Sequence, residues 1–359
     1  MNSNDELDSQ SPGRSSLPRR LGLIGLAVLS FLSTAALVRQ ATTWPQSQIS
    51  MKLDFFERAG DRYDLFFIGN SKVYRGVVPE VFDARMGERG FPLTSFNLAA
   101  QDMRAFETEY ALRRAIESSG PRLTTIVVLV ENFDATFPRT VLFTRRLVDW
   151  HTLTLTLDAV QTALHSGWRE SGPRANAARH AIHGLQRLTS YGMGPDTVRD
   201  RLPESRRSRE RYLDYVDRGA GHIPLERDVV SRQQRRDDFQ RDLGKYRRLI
   251  ERNGSHYGQG KPPRFKNREL TRRQAEGLAE AGFEVIYITM PGTAESAAYG
   301  RLVRHGVLPN LLQFDNPKRY SEYFTVESRF DTWHLTEDAA RQFSVVLADA
   351  VADRFEESR

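Results

Sequence analysis

Residues Leu21–Val38, LGLIGLAVLSFLSTAALV, run for eighteen positions without a charged side chain. A helix rises 1.5 Å per residue, so the run spans about 27 Å, close to the ~30 Å hydrocarbon core of a bilayer. A helix buried in a water-soluble domain carries a polar face, and here only scattered Ser and Thr interrupt the apolar residues. Arg14, Arg19 and Arg20 precede the run, while only Arg39 follows closely. Positive-inside orientation then keeps residues 1–20 in the cytoplasm and everything beyond Arg39 outside. A cleaved signal peptide is the alternative, but no clean Ala-x-Ala follows and the polar leader is long. The expectation is a single-pass, uncleaved signal anchor in the inner membrane. Residues 1–20 form a disordered tail, 39–60 a linker, and 61–359 an extracytoplasmic, periplasmic domain.

What lies beyond the anchor has material for a core. Of 359 residues, 39% are hydrophobic and 27% charged, too apolar for a wholly disordered chain. There is no cysteine, which excludes disulfides, thiolate metal sites, Fe–S clusters and a cysteine nucleophile. The eight histidines show no His-x-x-x-His or His-Glu-x-x-His spacing, and no metal or cofactor is expected. Positions 161–275 hold 26 Lys and Arg against 14 Asp and Glu, set between acidic-to-neutral flanks. Such a segment favours anionic partners, or it is a solvated, Arg-rich helical insertion. It lacks a recognisable nucleic-acid module and lies on the outer side of the membrane, so no nucleic-acid partner is expected.

Short apolar runs at 64–68 (DLFFI), 94–98, 124–130 (TTIVVLV) and 283–289 read as buried strands. Helical spacing covers 79–90, 103–119, 271–281 and 335–355. Alternating strands and helices with uninterrupted apolar strands predict an α/β fold with a parallel sheet covered on both faces. Ligands of such sheets bind beyond the carboxyl ends of the strands. The stretch of about 135–270 loosens into helices and Arg-rich segments and reads as an insertion, not an independent domain.

Candidate chemistry sits where those strands end. Gly69-Asn70-Ser71 follows the first strand, and a serine there can present its hydroxyl beside a backbone N–H. Asn132 follows the third strand and can donate its amide to a developing negative charge. Asp331-Thr332-Trp333-His334 precedes the last helix, where His334 can act as general base with Asp331 orienting it. Taken singly each has a plainer reading: turn residues for the first two, a helix start capped by Thr336 for the third.

As an ordered set, these blocks resemble the SGNH/GDSL hydrolase family. Gly69-Asn70-Ser71 corresponds to its Gly-Asp-Ser block, Asn132 to the asparagine of Gly-x-Asn-Asp, and Asp331 with His334 to Asp-x-x-His. The second block, normally a glycine, falls in Asn97-Leu98-Ala99-Ala100-Gln101. The resemblance covers about 64–134 and 283–355. It implies a flavodoxin-like α/β/α sandwich and a catalytic Ser71–His334–Asp331 triad. The oxyanion would be held by the N–H groups of Ser71 and Ala99 and the amide of Asn132. An anchor followed by such a domain is also similar to membrane-tethered proteins that add or remove O-acyl groups on bacterial envelope polysaccharides. The implied partners are an acylated glycan, the membrane through Leu21–Val38, and a membrane-bound acyl-transfer protein. Two functional classes follow: an esterase or O-acyltransferase, and an inactive scaffold that binds glycan or partners in an exopolysaccharide or cell-wall assembly.

Overall fold

The computed structural model describes residues 16–41, 47–130, 145–165, 172–191, 198–199, 201–227, 231–256, 268–292 and 300–359. Strands β1 (Leu65–Ile68), β2 (Ser95–Asn97), β3 (Thr125–Leu129) and β4 (Glu284–Ile288) form one parallel sheet in the order β2-β1-β3-β4. Each lies inside a run that the sequence marks as apolar, because a sheet covered on both faces leaves no wet side for polar alternation. Successive strand residues point to opposite faces. Phe66 meets Phe56 of α2 (Gln48–Ala59), ring centroids 5.6 Å apart, while Phe67 meets Phe82 of α4 (Pro79–Glu88) at 4.8 Å. Helix α5 (Ala105–Ser118) packs beside α2, and after the short α13 (Gly300–Arg304) the last helix, α14 (Glu337–Glu357), packs beside α4.

Helix α2 corrects the expectation that residues 39–60 are linker. Its Ile49, Leu53 and Phe56 lie one and two turns apart and are fully or almost fully buried. Ser47 caps it, accepting the Ser50 N–H at 3.2 Å. The sequence reads as linker there because Asp54, Glu57 and Arg58 crowd the other face, yet one apolar stripe is enough to dock a short helix.

Between β3 and β4 the described residues carry helices α6 (Arg145–Trp150), α7 (Leu153–His165), α8 (Pro173–Thr189), α9 (Pro203–Arg218), α10 (Ser231–Arg241), α11 (Leu243–His256) and α12 (Arg268–Glu280). This insertion is stitched to the sheet. The Asn97 N–H of β2 donates to the Ala220 carbonyl at 2.8 Å, and Arg75 donates to the Ile223 carbonyl at 2.7 Å. A Cβ on Gly221, whose φ is +87°, would lie 2.1 Å from the Asn97 carbonyl oxygen, so this approach demands glycine. Trp150, Val216 and Ile223 join the same core as the strands. In α9, Arg206, Arg207 and Arg211 are exposed, with Arg206 paired to Glu210 one turn on, as a solvated face requires.

Helix α1 (Ser16–Ala41) takes in the whole uncharged run, and Leu21, Leu23, Ile24, Leu26 and Leu29 are all 60% exposed or more. Among the described residues no helix is long and apolar enough to cross a membrane. The side chains of Ala36 and Val38 lie outside the described set, so the eighteen-residue run is not counted there in one piece.

Candidate active site

The turn after β1 puts Ser71 at the carboxyl edge of the sheet. A Cβ on Gly69 would lie 2.6 Å from Leu129 Cβ of β3, so the chain passes its neighbour only as glycine. Asn70 is the N-cap of the short helix α3 (Ser71–Gly76), its Oδ1 accepting the Lys72 N–H at 2.9 Å. Capping needs only an acceptor oxygen, which Asn supplies as well as Asp does. Ser71 heads α3, so its own N–H is one of the first-turn donors without an intrahelical acceptor.

His334 and Asp331 come from the loop that leads into α14, and each is 6% exposed. His334 Nε2 lies 2.9 Å from Ser71 Oγ, and Nδ1 lies 2.9 Å from both Asp331 oxygens. An ionised carboxylate only accepts, so Nδ1 carries the proton and Nε2 is left to accept from the serine hydroxyl. Asp331 Oδ1 also accepts the backbone N–H groups of Trp333 and His334, at 2.8 and 2.9 Å. Burial pushes the Asp331 carboxyl up. The hydrogen bond and charge of His334, with those two backbone N–H groups, outweigh it and hold the group below the ordinary carboxylate value. Thr336 caps α14 as the sequence suggests, which leaves the His334 ring for the serine.

The loop is braced from two sides. Arg329 is fully buried, with Nη1 donating to the Pro291 carbonyl beyond β4 at 3.2 Å and its guanidinium carbon 5.0 Å from the Phe324 ring centroid. Arg236, from α10 of the insertion, donates to the carbonyls of Arg329 and Phe330. Trp333 stands 44% exposed beside His334, with Lys72 Nζ 5.8 Å from its ring centroid.

The second block is clamped to α3. Asn97 Nδ2 donates to the Val73 and Val77 carbonyls, both at 2.9 Å, while its Oδ1 accepts the Ala99 N–H at 3.2 Å. Lys52 is fully buried, its ammonium donating to the carbonyls of Asn97 and Ala99 and lying 3.8 Å from the Tyr74 ring centroid. Burial first, and the charge of Arg75 second, depress the Lys52 pKa well below its ordinary value.

Of the residues singled out from sequence, Ser71, His334 and Asp331 are therefore brought into one hydrogen-bonded line. Ala99 is close by but its N–H is turned to Asn97, and the Ala100 N–H is turned to the Gly69 carbonyl at 3.2 Å. An oxyanion role for Ala99 requires that bond to be given up. Asn132 lies outside the described residues. Sequence reasoning missed Lys52, Arg75 and Arg329, which are fully buried cations among the described residues. Only Lys52 leaves a readable sign, a charge on the same helix face as Ile49, Leu53 and Phe56. Comparison of the chain with protein-family models, with curated protein sequences and with solved structures gives no match.

Proposed function

We propose that the chain is a membrane-tethered serine enzyme resembling the SGNH/GDSL hydrolases, acting on ester-linked acyl groups, acetyl above all, of an envelope or extracellular polysaccharide. The observation that carries the reading is the Ser71–His334–Asp331 line at the carboxyl edge of a parallel sheet. The strand order β2-β1-β3-β4, with helices on both faces, is compatible with the flavodoxin-like sandwich of that family. Ser71 Oγ attacks the acyl carbonyl carbon as His334 Nε2 takes its proton. The tetrahedral intermediate collapses, the sugar oxygen leaves with that proton, and the acyl group stays on Ser71. Water or a second sugar hydroxyl, deprotonated by His334, then attacks the acyl carbon, and Ser71 Oγ leaves and recovers the proton from His334, giving an esterase or an acyltransferase. The N–H of Ser71 and the amide of Asn132 are the proposed oxyanion donors, joined by Ala99 once its bond to Asn97 opens. The exposed Trp333 ring offers an apolar face to a sugar beside the serine.

The anchor and the outward orientation are part of the proposal, supported by the uncharged run and the three arginines before it. Alkaline phosphatase fused after Arg359 is expected to be active. A fluorophosphonate probe is expected to label wild type and not Ser71→Ala. Folded wild-type protein that takes no label, and turns over no acyl ester, would remove the enzymatic reading. A second reading, an inactive glycan-binding scaffold, is favoured by one observation: the Ala99 and Ala100 N–H groups are already engaged. On that reading acylated glycan binds equally well to wild type and Ser71→Ala.

A further inference from the structure

Helices α7 and α8 pack against each other, and α8 has the wrong side out for water. On α8 the buried side chains are Asn176, Ala177, His180, His183 and Thr189. Facing outward are Ile182, Leu185 and Leu188, 56–60% exposed, along the same stripe as the exposed alanines 175, 178 and 181. On α7, Leu153, Leu157 and Leu164 are 79%, 61% and 47% exposed. A helix docked on a protein in water buries its apolar stripe and wets its polar one. The buried imidazoles have hydrogen-bond partners within this layer. His151 Nε2 lies 3.1 Å from His180 Nδ1, and His183 Nδ1 lies 2.9 Å from Gln186 Oε1.

Three further facts say what covers this face. Helix α8 packs on α1, the apolar helix proposed as the anchor. The buried side chain among those described in α1 is Ala35, six residues and about 9 Å before the helix ends at Ala41. The contact thus falls toward the end of α1 from which the catalytic domain continues. The pair carries Arg174 and Arg179 against a single acid, Asp158, its third arginine, Arg187, being turned to the Asp149 carbonyl, and Tyr191 at its edge is 71% exposed. Basic residues with a rim aromatic are what the headgroup layer of an anionic bilayer attracts.

We infer that the outward face of α7 and α8, from Leu153 and Leu157 to Ile182, Leu185 and Leu188, lies in the headgroup–acyl boundary of the outer leaflet of an anionic bilayer. It is continuous with α1 and holds the sheet domain down on the membrane surface. The inference rests on the anchor reading for the side of the membrane, and its test separates the two. The chain has no cysteine, so one cysteine at a time can carry a fluorophore. Full-length Leu157→Cys, Ile182→Cys, Leu185→Cys, Leu26→Cys in α1 and Glu210→Cys in α9 are labelled and reconstituted in phosphatidylethanolamine–phosphatidylglycerol vesicles containing doxyl-labelled lipid. The expected result is loss of most emission at 157, 182, 185 and 26, with none at 210. Quenching at 26 alone would overturn the inference while the anchor stands, the face then belonging to a second copy or a protein partner. Quenching at 157, 182 and 185 without 26 would uphold it and remove the anchor. No quenching at any of them would remove both.

Discussion

Phe67 in β1 and Leu185 in α8 are large apolar residues of one chain, yet the first has no exposed surface and the second is 58% exposed, while His180, five residues before Leu185, is wholly buried. Around the sheet, apolar side chains fill the interior, and the buried charges near the site are hydrogen-bonded to specific carbonyls or carboxylates. In α8 the buried stripe is mostly polar and the outward one apolar, while α7 sets exposed leucines opposite a buried Leu155, Ala159 and Ala163. On the membrane reading proposed above, burial follows the solvent on the far side of each surface, not the residue type, and the two regions face different solvents. The insertion joins them, fixing itself to β2 through Ala220 and to the His334 loop through Arg236.

The largest expected difference between the regions is catalytic. Ser71→Ala and His334→Ala are each expected to lower kcat on a soluble acyl ester by on the order of 10⁴–10⁶, and the double change to cost little more than either alone, because the two act as one unit. Leu157→Ser or Leu185→Ser in detergent should leave that kcat unchanged. Turnover that survives Ser71→Ala would break the nucleophile assignment, and additive losses would break the unit. Asp331→Asn is expected to be somewhat milder than either, on the order of 10⁴, since the imidazole keeps its place but loses its tautomer control.

Next in size is stability. Phe67→Ala empties a space lined by Phe82 and the sheet, and is expected to cost about 3–5 kcal/mol in denaturant unfolding. Leu157→Ala in detergent should stay within about 0.5 kcal/mol, as a surface change does. Equal losses at the two positions would show that the outward face of α7 is packed against protein after all.

The four strands were legible because each is a short apolar run, and their parallel pairing followed from alternation with helices. Ser71, Asp331 and His334 were legible because each closes or opens an element: a turn after β1, a cap before α14. Lys52 was legible only as a charge on the apolar face of α2; the two carbonyls that hold it there are supplied 45 and 47 residues away and leave no local mark. The inversion of α8 was equally hidden, since a helical wheel shows an apolar stripe without saying which way it faces. Lys52 therefore offers the next test. Its folded pKa lies below 10.5, so the unfolded chain binds the extra proton between the depressed value and 10.5. Wild-type stability should rise with pH across that window, and Lys52→Met should flatten the rise. Fluorophosphonate labelling of Ser71 should also slow in that variant, since the carbonyls of Asn97 and Ala99 lose their tether to α2; a labelling rate equal to wild type would limit Lys52 to packing.

The smallest effect lies at the seam where the sheet meets α9 and the loop after it. A cavity of about 290 Å³, lined by Val78, Asp83, Ser95, Tyr215, His222 and Ile223, separates α4 and the sheet edge from the insertion. Asp83 accepts the Ser95 N–H at 2.9 Å and its hydroxyl at 2.5 Å. Burial pushes its carboxyl from the ordinary 3.8 up to about 6, against the pull of those Ser95 bonds. The folded protein then holds a proton that the unfolded chain has released between pH 4 and 6. Stability contributed by Asp83 is accordingly present below pH 4 and lost as pH rises through 6. Asp83→Asn keeps a carbonyl oxygen for the Ser95 N–H and turns an NH₂ toward the hydroxyl, which can accept. The variant should therefore show a flatter dependence of Tm on pH between 4 and 7, and a higher Tm relative to wild type at 7 than at 4. Parallel Tm curves would mean that water entering the seam keeps Asp83 ionised, and that sheet and insertion meet there across solvent and not through a dry interior.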